Sequence, residues 1–291
     1  MNFARRFALT FFLTLILSAS AMAQDNQAPV DEGWFRSYRF NAIVLIVVFS
    51  AAITYYTNRA KRGEKLFIRK LAGLDAVEEA VGRATEMGRP VLFIPGINEI
   101  DVMDTIAGLS ILGRVAKITA RYETPLHVPV RYPMVLAAAQ EVVQQAYIEE
   151  GKGDAQDRDA VQYVAGEQMA FTATVNGYMM RERPAANIFM GAFYAESLLL
   201  AETGNAAGSI QIAGTAQPEQ LPFFIAACDY TLMGEELFAA SAYLSHEPIM
   251  LGGLKGQDWM KVLIIAAIIT GTLITTFSTD VEWLNKLFEV R

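Results

Sequence analysis

The chain has 291 residues, 53% of them hydrophobic, and a mean hydropathy of +0.26. That is apolar for a soluble protein and moderate for a bundle of membrane spans, so a few spans attached to a soluble body are expected. A net charge of −7 excludes a nucleic-acid groove, which needs a basic surface to neutralise phosphate, and the single cysteine, Cys228, excludes an intrachain disulfide.

The first element is a leader. Arg5 and Arg6 precede the apolar run Phe7–Leu17, and small residues then lead to Ala21-Met22-Ala23. A charged start, a short apolar core and an A-x-A site read as a signal peptide over residues 1–23, cut before Gln24. Residues 24–39 follow as a short extracytoplasmic segment. Phe40–Thr57, "FNAIVLIVVFSAAITYYT", is 18 residues without a charge. At about 1.5 Å per residue it covers most of a ~30 Å hydrocarbon core, so it reads as a transmembrane helix. Tyr55 and Tyr56 suit its interfacial end. Residues 58–74 form a basic juxtamembrane connector carrying Arg59, Lys61, Arg62, Lys65, Arg69 and Lys70.

Between 75 and 255, apolar runs of four to six residues alternate with helical patterns. Strands are expected near 90–95, 125–130, 161–164, 186–190, 209–213 and 229–233. Helices are expected near 75–87, 102–122, 133–149, 167–182, 192–203, 218–227 and 235–244. In 102–122 the residues Val102, Ile106, Leu109, Leu112, Val115 and Ile118 recur every three or four positions, giving one buried stripe. Short buried strands separated by such helices imply an α/β body, Rossmann-like, with a mostly parallel sheet and helices on both faces.

A second transmembrane helix is expected over Trp259–Phe277, "WMKVLIIAAIITGTLITTF", with residues 278–291 as an extracytoplasmic tail. Ala267 and Gly271 in it form a small-xxx-small pair suited to close helix packing. Basic residues flank the body on both sides, while the tail carries Asp280, Glu282 and Glu289. The positive-inside rule then places the body in the cytoplasm and both termini outside the plasma (inner) membrane.

The chemistry of the body is sparse. The first strand runs into Pro95-Gly96-Ile97-Asn98-Glu99-Ile100-Asp101, where a dinucleotide loop would show G-x-G-x-x-G. Only Gly96 is present, and Glu99, Asp101 and Asp104 stand where phosphate oxygens would go. The turn is therefore not expected to hold phosphate. His127 lies in a strand and His246 near a helix end, neither with a partner at metal-ligand spacing. Cys228 reads as buried and inert. No catalytic residue, metal or cofactor is assigned.

The segments "RATEMGRPVLFIPGI", "ERPAANIFMGAFYAESLLLAE" and "GSIQIAGTAQPEQLPFFIAACDYTLMGEELFAASAYL", with the closing helix, resemble a family of prokaryotic membrane proteins known only as a domain of unknown function. The resemblance spans roughly residues 66–275. It implies the domain boundaries and no activity.

Two functional expectations follow. The first is a non-catalytic structural or assembly subunit, partnered by the lipid bilayer and by copies of itself or other membrane subunits. The alternative is a membrane-tethered small-molecule sensor or enzyme using a crevice at the carboxyl ends of the strands. Its contacts would be Asn98, Glu99, Arg131, Glu196, Thr215 and Glu235.

Overall fold

A computed structural model describes residues 40–63, 72–155, 157, 159–245 and 248–277. The expected signal peptide, extracytoplasmic segment and tail, residues 64–71 of the basic connector, and His246 lie outside them. The chain divides into two compact units, Gly63–Leu251 on one hand and the segments to Arg62 and from Gly252 on the other.

In the larger unit helix α2 (Ala72–Met87) leads into strand β1 (Val91–Ile94). Then α3 (Met103–Tyr122), β2 (Leu126–Val130), α4 (Pro133–Glu149), β3 (Val161–Tyr163) and α5 (Gln168–Glu182) alternate. The unit continues through β4 (Ala186–Met190), α6 (Glu196–Ala206), β5 (Ile210–Thr215), α7 (Leu221–Ala227), β6 (Tyr230–Met233) and α8 (Glu235–Ser245). All pairings are parallel and the strand order is β3-β2-β1-β4-β5-β6, so the order reverses between β1 and β4. This is the Rossmann-like order.

Every strand expected from the sequence is present within two residues at each end. Three helix starts differ more: those expected from 75, 218 and 192 begin at Ala72, Leu221 and Glu196. Gly191 at φ +142 carries the chain out of β4 in a conformation incompatible with helix, which delays the last of these.

Alternation along the strands builds two cores. Val91 and Phe93 of β1, with Ala186, Ile188 and Met190 of β4 and Ile212 of β5, face one side. There they pack on the stripe Ile111, Leu112 and Val115 of α3 and on α2, α4 and α8. Leu92, Ile94, Phe189 and Ala213 face the other, against Phe171, Val175 and Met179 of α5, Leu200 of α6 and Phe224 of α7. Fully burying one such side chain is worth about 1.5–3 kcal/mol, and strands and helices both contribute such side chains. Within the second core, Phe189 and Phe224 stack at 5.9 Å between ring centres, and Phe193 meets both edge-on. Gln211 reaches through this core. Its amide nitrogen donates to the carbonyls of Ala201 (2.8 Å) and Ala227 (2.9 Å), tying α6 and α7 to β5.

The smaller unit contains α1 (Phe40–Lys61) and most of α9 (Pro248–Phe277). Among the described residues the helix segment Ile43–Lys61 is long and apolar enough to cross a membrane. Helix α9 starts earlier than the expected 259, because nothing after Pro248 breaks it. A side chain at Gly252 would strike the backbone of Thr57, and one at Gly256 would lie 2.9 Å from the Ile53 Cα. As one helix ascends the other descends, so the two pack antiparallel, backbone against backbone. Ala267 and Gly271 lie three and four turns beyond Gly256 on α9, both half-buried.

Candidate functional site

In an open parallel sheet, ligands collect outside the carboxyl ends of the strands where the order reverses. Here that point lies between the loops after β1 and β4, and the glycine turn sits in it. Gly96 adopts φ +76 and Gly191 φ +142, both rarely open to L side chains. A Cβ on Gly96 would lie 2.8 Å from the Ala192 nitrogen; one on Gly191 would lie 2.9 Å from the Gly96 Cα and the Pro95 oxygen. The amide of Ile97 donates to the Ala192 carbonyl at 2.9 Å. Ile97 and Phe193 are fully buried in the second core. The two loops have thus closed on each other. Gly96 has backbone of the β4 loop lying against it, which leaves no room for a side chain. One helical face further on, Gly108 of α3 presses on the Met190 carbonyl and has no room for a side chain.

The expected contact residues mostly brace this closure. The Asn98 amide donates to the Tyr194 hydroxyl at 2.8 Å, joining the β1 and β4 loops a second time. Arg131, from the loop after β2, donates to the carbonyls of Gly166 (2.9 Å) and Ile97 (3.3 Å) and stacks its guanidinium 5.1 Å from the Tyr132 ring centre. It straps three loops together through backbone oxygens rather than through an acid. Glu196 is fully buried; its carboxylate accepts from the Tyr194 amide at 2.8 Å and from the Gln168 side chain. Thr215 is buried at the end of β5, where its hydroxyl accepts from the Gln217 amide at 3.2 Å. Glu99 and Glu235 are exposed, the latter beyond the edge strand β6 and apart from the others.

Helix α3 starts at Met103, so Glu99 and Asp101 lie before it, and its cap residue Val102 makes no side-chain cap. Asp104 is the acid in its first turn; burial holds its carboxyl above the usual range, and the Gln217 amide at 3.4 Å partly offsets this. Glu167 does cap α5, accepting from the Ala170 amide at 2.6 Å, and the two amides it meets hold its carboxyl below the usual range.

Tyr194, Ile97, Gln168 and Gln217 were not singled out from the sequence. Each acts across loops remote in sequence, and no local spacing announces that. A hollow of about 300 Å³ lies elsewhere, at the amino ends of β5 and β6, lined by Glu79, Ala80, Arg83, Ile210, Asp229 and Tyr230. Among the described residues, no group of three His, Cys, Asp or Glu is placed to hold a metal ion. Cys228 is half-buried, and burial with the neighbouring Asp229 pushes its thiol up to about 12, which leaves almost no thiolate at neutral pH.

His127 stacks on Tyr178 at 4.1 Å between ring centres. Burial, then the charge of Arg181, lowers its pKa, with Asp157 and Glu182 acting the other way. The unfolded chain therefore binds a proton near pH 6.5 that the folded body resists. This contribution to stability is complete above that pH and is lost as pH falls towards the folded value. Melting followed from pH 7 to pH 5 is expected to drop further for the wild type than for His127→Phe, which keeps the stack and removes the proton site. Equal drops would contradict this assignment.

No curated protein and no solved structure matches the chain. The sequence over residues 30–288, including α1 as well as the α/β body and α9, matches the family described as a domain of unknown function, DUF6754. The chain belongs to that family.

Proposed function

We propose that the chain is a two-span membrane protein whose α/β body lies in the cytoplasm and serves as a non-catalytic assembly subunit of a membrane complex. The observation that carries this is the closed switch point: Gly96 and Gly191 meet backbone to backbone where a ligand would otherwise sit. Asn98, Arg131 and Glu196 make internal bonds around that contact. The membrane part of the reading is supported by exposed apolar side chains on both helices, Leu45, Ile46 and Val47 on α1 and Val262, Ile265 and Ile269 on α9. The spans are Phe40–Thr57 and Trp259–Phe277, with lipid as their solvent. Ala267 and Gly271 are assigned to contact with a neighbouring helix of the same or another subunit. Cleavage of the leader after Ala23 leaves the new terminus outside.

Extraction of the full chain in mild detergent, followed by native mass measurement, tests the assembly. A mass above the monomer is expected, and a clean monomer without partners would contradict it. On the same chain, a reporter active only outside the membrane should be silent when fused after Gly153 and active after Arg291. Activity at Gly153 would overturn the orientation.

A further inference from the structure

The carboxyl end of the sheet carries an apolar surface that the closure of its loops leaves uncovered. Met103 and Ile106 at the start of α3, Met134 at the start of α4 and Tyr194 after β4 are exposed by 61%, 36%, 67% and 42%. They follow three adjacent strands, β1, β2 and β4, and the Asn98–Tyr194 bond ties two of the three loops together. Glu99 and Asp101 are exposed in the same stretch, and Glu167, Glu219 and Glu235 are exposed at this end of the sheet. Arg131, the arginine of these loops, is turned inward to the carbonyls of Gly166 and Ile97. This end of the sheet therefore exposes apolar, methionine-bearing positions together with acids.

Three occupants can be compared by their charge. An anionic lipid surface is repelled by the carboxylates. A second copy placed on this face by a two-fold axis would set the same acids against each other. A cationic amphipathic helix satisfies both halves of the surface. Its apolar side lies on the adaptable methionines while its lysines or arginines meet the acids. We infer that this face docks a cationic amphipathic helix of a partner protein, across Met103, Ile106, Met134 and Tyr194, with Glu99 and Asp101 taking its positive charges. The inference rests on the assembly reading and gives that assembly a partner chemistry.

The test uses the full chain in nanodiscs of zwitterionic lipid, with empty discs as the blank. The probe is a fluorescent peptide of roughly 18 leucines and lysines at helical spacing, beside a counterpart with glutamate for lysine. Anisotropy is expected to show salt-sensitive binding of the lysine peptide alone. Glu99→Gln/Asp101→Asn should weaken it about tenfold, and Met103→Ser/Met134→Ser by a similar factor. These side chains are exposed, so both variants should keep the wild-type melting temperature. Equal binding by wild type and variants, equal binding of the glutamate peptide, or no binding above the blank would each overturn the proposal. A chain that runs above monomer mass yet binds no peptide loses this inference alone and keeps the assembly reading.

Discussion

Alanine at Gly191 is expected to destabilise the α/β body by about 3 kcal/mol, lowering its melting temperature by roughly 10 °C. Two causes add. A side chain at φ +142 is strained wherever it sits, and this one would be driven to 2.9 Å from the Gly96 backbone and the Pro95 carbonyl. Neither neighbour can move cheaply: Gly96 is itself held at φ +76, and Ile97 beyond it is locked in the core. The control is Gly177→Ala, in the middle of α5 with nothing within 4 Å of the added carbon. There the same chemical change should stabilise the helix, by up to about 1 kcal/mol. Opposite signs at the two sites, read by thermal melting, would show that contact between the loops, rather than glycine content, is what matters.

Leucine at both Gly252 and Gly256 is expected to force α1 and α9 apart. In the proposed membrane setting there is little hydrophobic drive between helices to hold a poor fit, so packing of small residues would carry the association. The backbones of Thr57 and Ile53 occupy the space those side chains would need. Spin labels at Ile46 and Ile264, both exposed, should report a longer separation in the double variant than in its parent, as the helices retreat towards the 8–10 Å axial spacing usual for larger side chains. Gly253→Leu, whose added carbon meets nothing within 4 Å, should leave the distance unchanged. An unchanged distance in the double variant would mean that the glycines do not set the packing.

The two glycine contacts also mark what the sequence revealed and what it hid. The elements of the body were legible, because runs such as Val91–Ile94 and Ala186–Met190 are short, apolar and bounded by Pro or Gly. The stripe along α3 was legible in part: Leu109, Leu112, Val115 and Ile118 are buried, but Ile106 is exposed and Val102 lies half-buried before the helix starts. A turn not expected to hold phosphate was readable from Glu99, Asp101 and the missing glycines. What Gly96 packs against was not, since its partner Gly191 lies beyond three further strands, and only the reversal of strand order brings the two together. The candidate site was read as a crevice because Asn98, Arg131 and Glu196 follow strands at its rim. The partners of Asn98 and Arg131 are a tyrosine hydroxyl and carbonyls of other loops, and Glu196 accepts from Gln168 as well as from the nearby Tyr194 amide, which no pattern of residue types discloses. In the smaller unit the pair Ala267 and Gly271 drew notice inside the apolar run. Gly252 and Gly256, spaced the same way just before that run, lie against the backbone of α1. Looking for G-x-x-x-G beyond the apolar window would have found them.

Closure of the switch point is the claim on which the functional reading depends, and nucleotide titration of the full chain tests it most directly. ATP, NAD and NADP each require a phosphate to approach the backbone at the turn after β1, where Gly96 already lies against Ala192. Calorimetry with each nucleotide should give no binding heat, and melting should be unshifted even at millimolar ligand. At a hundredfold excess over its dissociation constant a ligand would stabilise the fold by about 2.7 kcal/mol, which such melting readily detects. Micromolar binding of any of the three by the wild-type chain, lost on Gly96→Val, would show that the loops open to admit phosphate, and would contradict the account.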